Sequence, residues 1–193
     1  MALWRVYNNI KKTPKKVKGA IDYEKEIEGL LMANPELLPH DKKVLWFSKT
    51  RNGPGDLVGL DRNGSIVVVE VKKKLGKGEV KKARKQVRSR VRQVVKYSID
   101  RVEKEYQYLR DHWHSRATSK QSYRKQFEAY FGRKFKIKLD KVYRYTVAES
   151  STRAGERRIK KLERRVEKST IYVVMHMVTA DTRQKTISVE KIN

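Results

Sequence analysis

The run IVVVEVK (66–72) constrains the fold more than any other part of the chain. Successive side chains of a β-strand point to opposite faces of the sheet, and here both faces are apolar as far as Glu70. This pattern is typical of a central strand that is covered on both sides. One face would carry Val67, Val69 and Val71, and the other Ile66, Val68, Glu70 and Lys72.

The two charged residues of this strand need a physical reason. Glu70 and Lys72 are two positions apart, so they project from the same face about 6.6 Å apart along the strand. A buried carboxylate or ammonium group is costly unless it is paired or bound to an ion. The alternative is a simple charge pair at a strand end that emerges into solvent.

A third charge comes from the preceding strand candidate, DLVGLD (56–61). If the connecting loop has three residues, Asp56 lies directly opposite Glu70, whereas a two-residue Asn-Gly turn would place it on the other face. We expect the three-residue loop 62–64. An aspartate precedes this loop, as at the start of a type I turn, and Gly64 supplies the left-handed residue that ends it.

Two facing carboxylates at this point indicate a cation site. Their Cβ atoms would be about 5 Å apart, and hard oxygen ligands of this kind suit Mg²⁺ or Mn²⁺. A neighbouring lysine can orient a water molecule or offset the charge that develops as a phosphodiester is attacked. Asp56, Glu70 and Lys72 are therefore predicted catalytic residues, and Asp56 and Glu70 predicted metal ligands.

The segment GPGDLVGLDRNGSIVVVEVKK (53–73) resembles the Asp-(x)n-Glu-x-Lys signature of the PD-(D/E)XK nuclease superfamily. Asp56, Glu70 and Lys72 fill its three positions, with Gly55 in place of the usual proline. The resemblance implies a restriction-endonuclease-like α/β core and Mg²⁺-dependent (or Mn²⁺-dependent) hydrolysis of DNA. It also allows structure-specific cleavage in DNA repair, recombination or replication.

The preceding segment YEKEIEGLLMANPELL (23–38) resembles the lead helix of the NucS/EndoMS-like and RecB-like branches of that superfamily. In those branches this helix supplies a further acidic residue. Matching the Asn34-Pro35 end of the helix puts Glu24 in that position, as a catalytic residue and metal ligand. Glu28 lies one turn later on the same face, so the choice between the two glutamates stays open. A solvated helix face is the alternative explanation for both glutamates.

Apolar residues recur at steps of three and four from Gly78 to Trp113, which predicts one long helix or two helices end to end. Gln93 and Tyr97 form a QxxxY pair that resembles the motif after the lysine in RecB-like nucleases. The resemblance makes Gln93 a catalytic residue that would hold a carboxylate, a water or a phosphate, and an ordinary exposed helix face is the alternative. The predicted nucleic-acid contacts are Lys73, Lys74, Arg84, Arg88, Arg90 and Tyr97.

The rest of the chain alternates helices and strands, which predicts an α/β fold with a mixed central sheet flanked by helices. The further helices are expected at 22–31, 120–131 and 158–168, and the further strands at 44–47, 142–148, 171–178 and 186–192. Residues 1–18 are expected to form a basic arm, because they lack an apolar stripe. Residues 19–193 would form a single domain, in which 98–138 is a basic helical insertion.

The charge of the chain points to a polyanionic partner. The sequence has 48 Lys and Arg against 22 Asp and Glu, a net charge of +26, and 72–138 alone has a net charge of +17. Such a field favours nucleic acid. A membrane surface is the weaker alternative, because the basic segments lack the bulky apolar face of a membrane-lying helix.

Composition excludes several classes of protein. The chain has no cysteine, so disulfide scaffolds, thiol catalysis and Cys-ligated metal centres are excluded. No apolar run is long enough to span a membrane, and the first residues do not resemble a secretory signal. We therefore expect a cytoplasmic protein with no membrane partner.

Two functional hypotheses follow. The first is a Mg²⁺-dependent DNA endonuclease, and the second is a catalytically silent DNA-binding protein on a nuclease fold. The complete Asp/Glu/Lys set favours the first, because a pure DNA-binding protein gains nothing from carboxylates that face a phosphate. Either protein could act as a homodimer.

Overall fold

The computed structural model describes residues 2–5, 23–40, 43–50, 56–113, 121–163, 170–181 and 184–191. The strands are β1 (Ala2–Arg5), β2 (Val44–Lys49), β3 (Leu57–Asp61), β4 (Ser65–Leu75), β5 (Lys138–Ser151), β6 (Ile171–Asp181) and β7 (Gln184–Lys191). The α-helices are α1 (Tyr23–Ala33), α2 (Lys77–Val94), α3 (Ile99–Trp113), α4 (Tyr123–Phe131) and α5 (Arg153–Glu163). A 3-10 turn, Pro35–Leu37, follows α1.

The described strands form one mixed sheet in the order β1-β7-β6-β5-β4-β3-β2. Strand β5 pairs in parallel with both β4 and β6, and the other neighbours are antiparallel. Helices cover both faces of this sheet. The predicted α/β class with a mixed central sheet flanked by helices is confirmed.

Strand β4 is buried on both faces, as its sequence pattern predicts. Val67, Val69 and Val71 pack against α1, and Ile66 and Val68 pack against α2 and α4. The alternation of the two sets follows directly from the twofold period of a strand. Glu70 therefore lies between two fully buried residues, because Val69 and Val71 are both 0% exposed.

The β3–β4 hairpin has the predicted three-residue loop. Leu57 pairs with Val69 and Leu60 with Ile66, and Gly64 has a φ of 78°. The Gly64 N–H donates to the carbonyl of Asp61 at 2.9 Å. Glycine is required twice over, because an added Cβ would also lie 2.0 Å from the carbonyl oxygen of Lys136.

The apolar stripe after Gly78 forms two helices rather than one. Helix α2 ends at Val94 and α3 begins at Ile99. Helix α3 packs along β2, the edge strand of the sheet, where Val102 joins the core on one face and Leu109 the core on the other. The predicted insertion therefore begins with a helix that covers a sheet edge, which would otherwise be open to pairing with another chain.

Several predicted boundaries differ from the observed ones, and strand β5, for example, spans Lys138–Ser151 instead of 142–148. Helix α5 begins at Arg153 instead of 158, because Thr152 Oγ1 accepts from the Gly155 N–H at 3.1 Å and caps an earlier first turn. The first residues of the predicted basic arm form β1, which pairs with β7. The rest of the arm, 6–18, and the end of the predicted fifth helix, 164–168, lie outside the described residues.

No helix within the described part of the chain is long and apolar enough to cross a membrane.

Candidate functional site

The register of β3 and β4 brings the two predicted carboxylates together. Asp56 precedes Leu57, which pairs with Val69, so Asp56 lies opposite Glu70 on the same face of the sheet. The Val71 N–H donates to Asp56 Oδ2 at 2.5 Å, which attaches the aspartate to the strand that carries Glu70. The carbonyl of Asp56 in turn accepts from the Thr50 N–H at 3.0 Å.

The environment of Asp56 favours its neutral form. Burial and the adjacent Glu70 charge raise its pKa to about 7, and the charge of Glu28 acts in the same direction. The Val71 hydrogen bond and the Lys72 ammonium lower this pKa but do not cancel the increase. Carboxylates crowded in this way repel one another, and a cation that bound them would relieve the repulsion.

Glu70 and Lys72 form the ion pair that their spacing suggests. Lys72 Nζ lies 2.6 Å from Glu70 Oε1, and the two residues are 8% and 1% exposed. Burial disfavours the charged amine, but the hydrogen bond and charge of Glu70 outweigh it and raise the pKa of Lys72. Lys72 is therefore held as a cation beside the two carboxylates.

Both glutamates left open by the sequence face this end of β4. Glu28 is buried and pairs with Lys49, with 2.7 Å between Oε2 and Nζ. Glu24 accepts from the backbone N–H of Lys73 at 2.9 Å. Glu28 thus acts on Asp56 through its charge, and Glu24 acts on the β4 backbone one residue after Lys72.

The donor set suits a hard divalent cation. Asp56 and Glu70 offer carboxylate oxygens side by side, and burial and the charge of Glu70 raise the pKa of Asp56 more than the Lys72 ammonium lowers it. Within the described residues, however, no three acidic or histidine side chains converge as a ready metal cluster. The two strand carboxylates are therefore the core of the candidate site.

The QxxxY pair contacts a buried arginine instead of the carboxylates. Arg90 Nη1 donates to Tyr97 Oη at 3.0 Å and to Gln93 Oε1 at 3.4 Å. Arg90 Nη2 donates to Ser48 Oγ at 2.8 Å. Gln93 is exposed. Among the described residues, no contact between Gln93 and Asp56 or Glu70 supports its predicted catalytic role.

The predicted nucleic-acid contacts differ in exposure. Lys73, Lys74 and Arg88 are exposed, Arg84 and Tyr97 are half-buried, and Arg90 is buried. Lys73 and Lys74 line a cleft of about 400 Å³ together with Glu24, Glu79 and Glu149. The two exposed lysines therefore lie at the end of β4 that carries Glu70 and Lys72, whereas Arg90 is buried against Ser48 of β2.

No protein-family model matches the chain. No curated protein matches it either. Three solved structures do. A repair endonuclease from Pyrococcus abyssi is 18% identical, with 81% of this chain and 48% of that chain covered and a TM-score of 0.39. EndoMS in its apo form is 23% identical, with 72% and 42% covered and a TM-score of 0.35.

The third structure, an EndoMS–dsDNA2 complex, is 23% identical, with 78% and 46% covered and a TM-score of 0.38. The chain thus spans less than half the length of each of these proteins.

Two charged contacts of the structure were not predicted from the sequence. Lys49 reaches Glu28 across the sheet edge, and no local motif marks it. The His40 side chain is only 2% exposed, with its Nδ1 2.9 Å from Tyr145 Oη and its Nε2 3.6 Å from Asp61 Oδ2. Asp61 also accepts from the N–H groups of its own turn, so this second charged cluster supports the hairpin.

Proposed function

We propose that the protein is a Mg²⁺-dependent (or Mn²⁺-dependent) deoxyribonuclease that hydrolyses phosphodiester bonds within DNA. The observation that carries this proposal is the position of Asp56 opposite Glu70, with the Lys72 ammonium 2.6 Å from Glu70 Oε1. DNA is the substrate implied by the PD-(D/E)XK resemblance. The net charge of +26 supports a polyanionic substrate.

Asp56 and Glu70 would hold the cation, with Glu28 or Glu24 as the further acidic residue. When bound, such a cation polarises a phosphoryl oxygen and lowers the pKa of a bound water. Lys72 would offset the negative charge that develops on the phosphate as water attacks. Lys73 and Lys74 would hold the backbone of the DNA strand beside the cleft, because both are exposed and follow Lys72 on β4.

The hydrogen bond from Val71 to Asp56 supports this assignment in a second way. It engages Oδ2 of an aspartate that lies opposite Glu70 in the strand register. A carboxylate that served only to stabilise the strand end would gain more by pairing with a cation than by facing a second carboxylate. The arrangement therefore costs stability unless an ion is bound.

A catalytically silent DNA-binding protein is the second candidate. It is favoured by the Glu70–Lys72 pair, which neutralises one carboxylate without a metal, and by the lack of a three-ligand cluster within the described residues. Such a protein would bind DNA in EDTA and in Mg²⁺ equally, and it would cleave in neither.

The experiment is to incubate supercoiled, linear and branched DNA with the protein in Mg²⁺ or EDTA. We expect nicking in Mg²⁺ only, and we expect Asp56→Asn and Glu70→Gln to abolish it while gel-shift affinity stays equal or increases. Asp140→Asn is the matched control, because this exposed carboxylate is on β5 near the far end of β4. If folded Asp56→Asn and Glu70→Gln proteins cleave as well as the parent, the proposed function is wrong.

A further inference from the structure

A second cleft, of about 520 Å³, lies where the end of β2 meets α2 and α3. Four cationic residues and one carboxylate line it, together with Thr50: they are Lys49, Arg90, Arg101, Lys104 and Glu105. A cleft with this balance of charge repels cations and attracts anions. None of the proposed cleavage chemistry uses it.

Arg90 lines this cleft, and one of its side-chain N–H donors has no acceptor among the described residues. It is 6% exposed, and its two terminal nitrogens donate to Tyr97 and Ser48. Its Nε is buried and has no hydrogen-bond partner among the described residues. A buried guanidinium N–H without an acceptor costs free energy, so an acceptor atom bound here would be stabilised.

Thr50 supplies a second such group on the same wall. Its Oγ1 is buried and also lacks a partner within the described part of the chain. A hydroxyl and a guanidinium N–H together match a tetrahedral oxyanion, which offers several acceptor oxygens at once. Two unsatisfied polar groups that line one cleft point to the same missing ligand.

A network of contacts holds the α3 residues that line this cleft. Glu105 accepts from Ser48 Oγ at 2.8 Å and pairs with Arg101 at 2.5 Å. The Arg101 and Arg90 guanidinium carbons lie 5.5 Å and 5.8 Å from the centre of the Tyr97 ring. The tyrosine of the QxxxY pair thus holds two arginines next to each other, although each would repel the other in isolation.

We infer that this cleft is a phosphate site, and that it holds a backbone phosphate of the DNA strand bound at the carboxylate centre. The inference rests on the proposed function. The two sites share a wall, because Lys49 lines the cleft and pairs with Glu28, and the Thr50 N–H donates to the carbonyl of Asp56. A phosphate at Arg90 and Thr50 would position the strand for attack at its neighbour.

Two variants separate charge from hydrogen bonding. Lys104→Gln removes an exposed charge, and Thr50→Val removes the buried hydroxyl while it keeps the side-chain shape. We expect Thr50→Val to weaken DNA binding in EDTA about tenfold with an unchanged salt dependence. We expect Lys104→Gln to lower the slope of log affinity against log salt by about 1. Glu26→Gln on α1 is the control and should not reduce affinity.

A comparison of inorganic phosphate binding with DNA binding shows whether the cleft takes a free phosphate or a backbone phosphate of DNA. Thermal shifts in phosphate and fluorescence anisotropy with a labelled duplex would be measured for each variant, with circular dichroism as the test of folding. If phosphate binding is lost and DNA binding is unchanged, the cleft takes a free phosphate and the DNA assignment is overturned. If both variants bind phosphate and DNA as the parent does, the site itself is overturned. Both readouts are independent of cleavage, so they remain informative if the protein never cuts DNA.

Discussion

Lys49 Nζ lies 2.7 Å from Glu28 Oε2, and this pair joins the carboxylate centre to the basic cleft. The lysine comes from the edge strand and the glutamate from α1, so the contact exists only once the helix has packed on the sheet. Glu28 in turn adds to the repulsion that raises the pKa of Asp56. The candidate active site therefore depends on long-range packing as well as on the β3–β4 hairpin.

Lys72→Met should separate catalysis from metal binding. The substitution removes the cation beside Glu70, so we expect cleavage to fall by about 10²–10³-fold through lost charge stabilisation. Mg²⁺ binding, measured by calorimetry, should persist, because the two carboxylates remain. Lys74→Met is the matched control on the same strand, and its cleavage rate at saturating DNA should stay close to that of the parent. Equal rates for Lys72→Met and the parent would remove Lys72 from the mechanism.

The stability of the metal-free protein should depend on the charge of Asp56. Its pKa is about 7 in the folded protein, against 3.8 for an ordinary aspartate, so the folded state binds the proton more tightly. The ionised aspartate therefore destabilises the fold above pH 7, and the cost falls as the pH falls from 7 towards 3.8. Asp56→Asn should raise the free energy of unfolding by about 1–3 kcal/mol at pH 8 and by less at pH 5. Urea titrations in EDTA at both pH values would measure this difference, and a variant no more stable than the parent at pH 8 would contradict it.

Asp61 should show the opposite pH dependence. Burial alone would raise the pKa of Asp61, but the adjacent His40 ring and the hydrogen bonds from the Ser65 and Asn63 N–H groups outweigh burial and lower it. Its contribution to stability is therefore present above the ordinary aspartate pKa and is lost as the pH falls through the lower folded value. Asp61→Ala should cost about 1–3 kcal/mol at pH 7, and the deficit should shrink near pH 2–3 on urea unfolding. A deficit that does not change with pH would exclude the charge as its source.

Two glycine substitutions should have opposite effects on stability. Gly64→Val places a β-branched residue at a φ of 78° and its Cβ against the carbonyl of Lys136, so we expect a loss of about 3 kcal/mol or more. Gly78 lies in α2 and has open space around an added Cβ, so Gly78→Ala should be neutral or stabilise by about 0.5–1 kcal/mol. Thermal unfolding would compare them. Similar effects from both substitutions would show that the hairpin conformation is not the cause.

DNA affinity should depend steeply on salt. The residues from 72 to 138 carry a net charge of +17, and they include the exposed Lys73, Lys74 and Arg88. If six or more phosphates are neutralised, affinity should fall by roughly 10³-fold or more between 50 and 200 mM salt. Anisotropy titrations in EDTA would give the slope. A flat salt dependence would exclude a binding mode dominated by phosphate contacts.

Local pattern was enough to predict the hairpin and the core of the site. The alternation in IVVVEVK, the three-residue loop and the left-handed Gly64 together predict that Asp56 lies opposite Glu70, and the register confirms this. These features are encoded within twenty residues, because strand period and turn geometry depend on near neighbours.

The roles of the α1 glutamates and of the QxxxY pair could not be decided in this way. A helix pattern shows which residues share a face, but not which partner that face meets. Gln93 and Tyr97 contact Arg90, whose other partner is Ser48 of β2, more than forty residues away.

Tertiary structure also decided where the long apolar stripe breaks. Helix α3 turns to cover the edge strand β2, and this places Arg101 and Lys104 around the cleft that Arg90 and Thr50 line. The sequence by itself determined the strand alternation, the hairpin register and the net charge. The packing of α1 and α3 on the sheet decided which distant charges meet, because ion pairs and clefts form only where separate elements bury their apolar faces together.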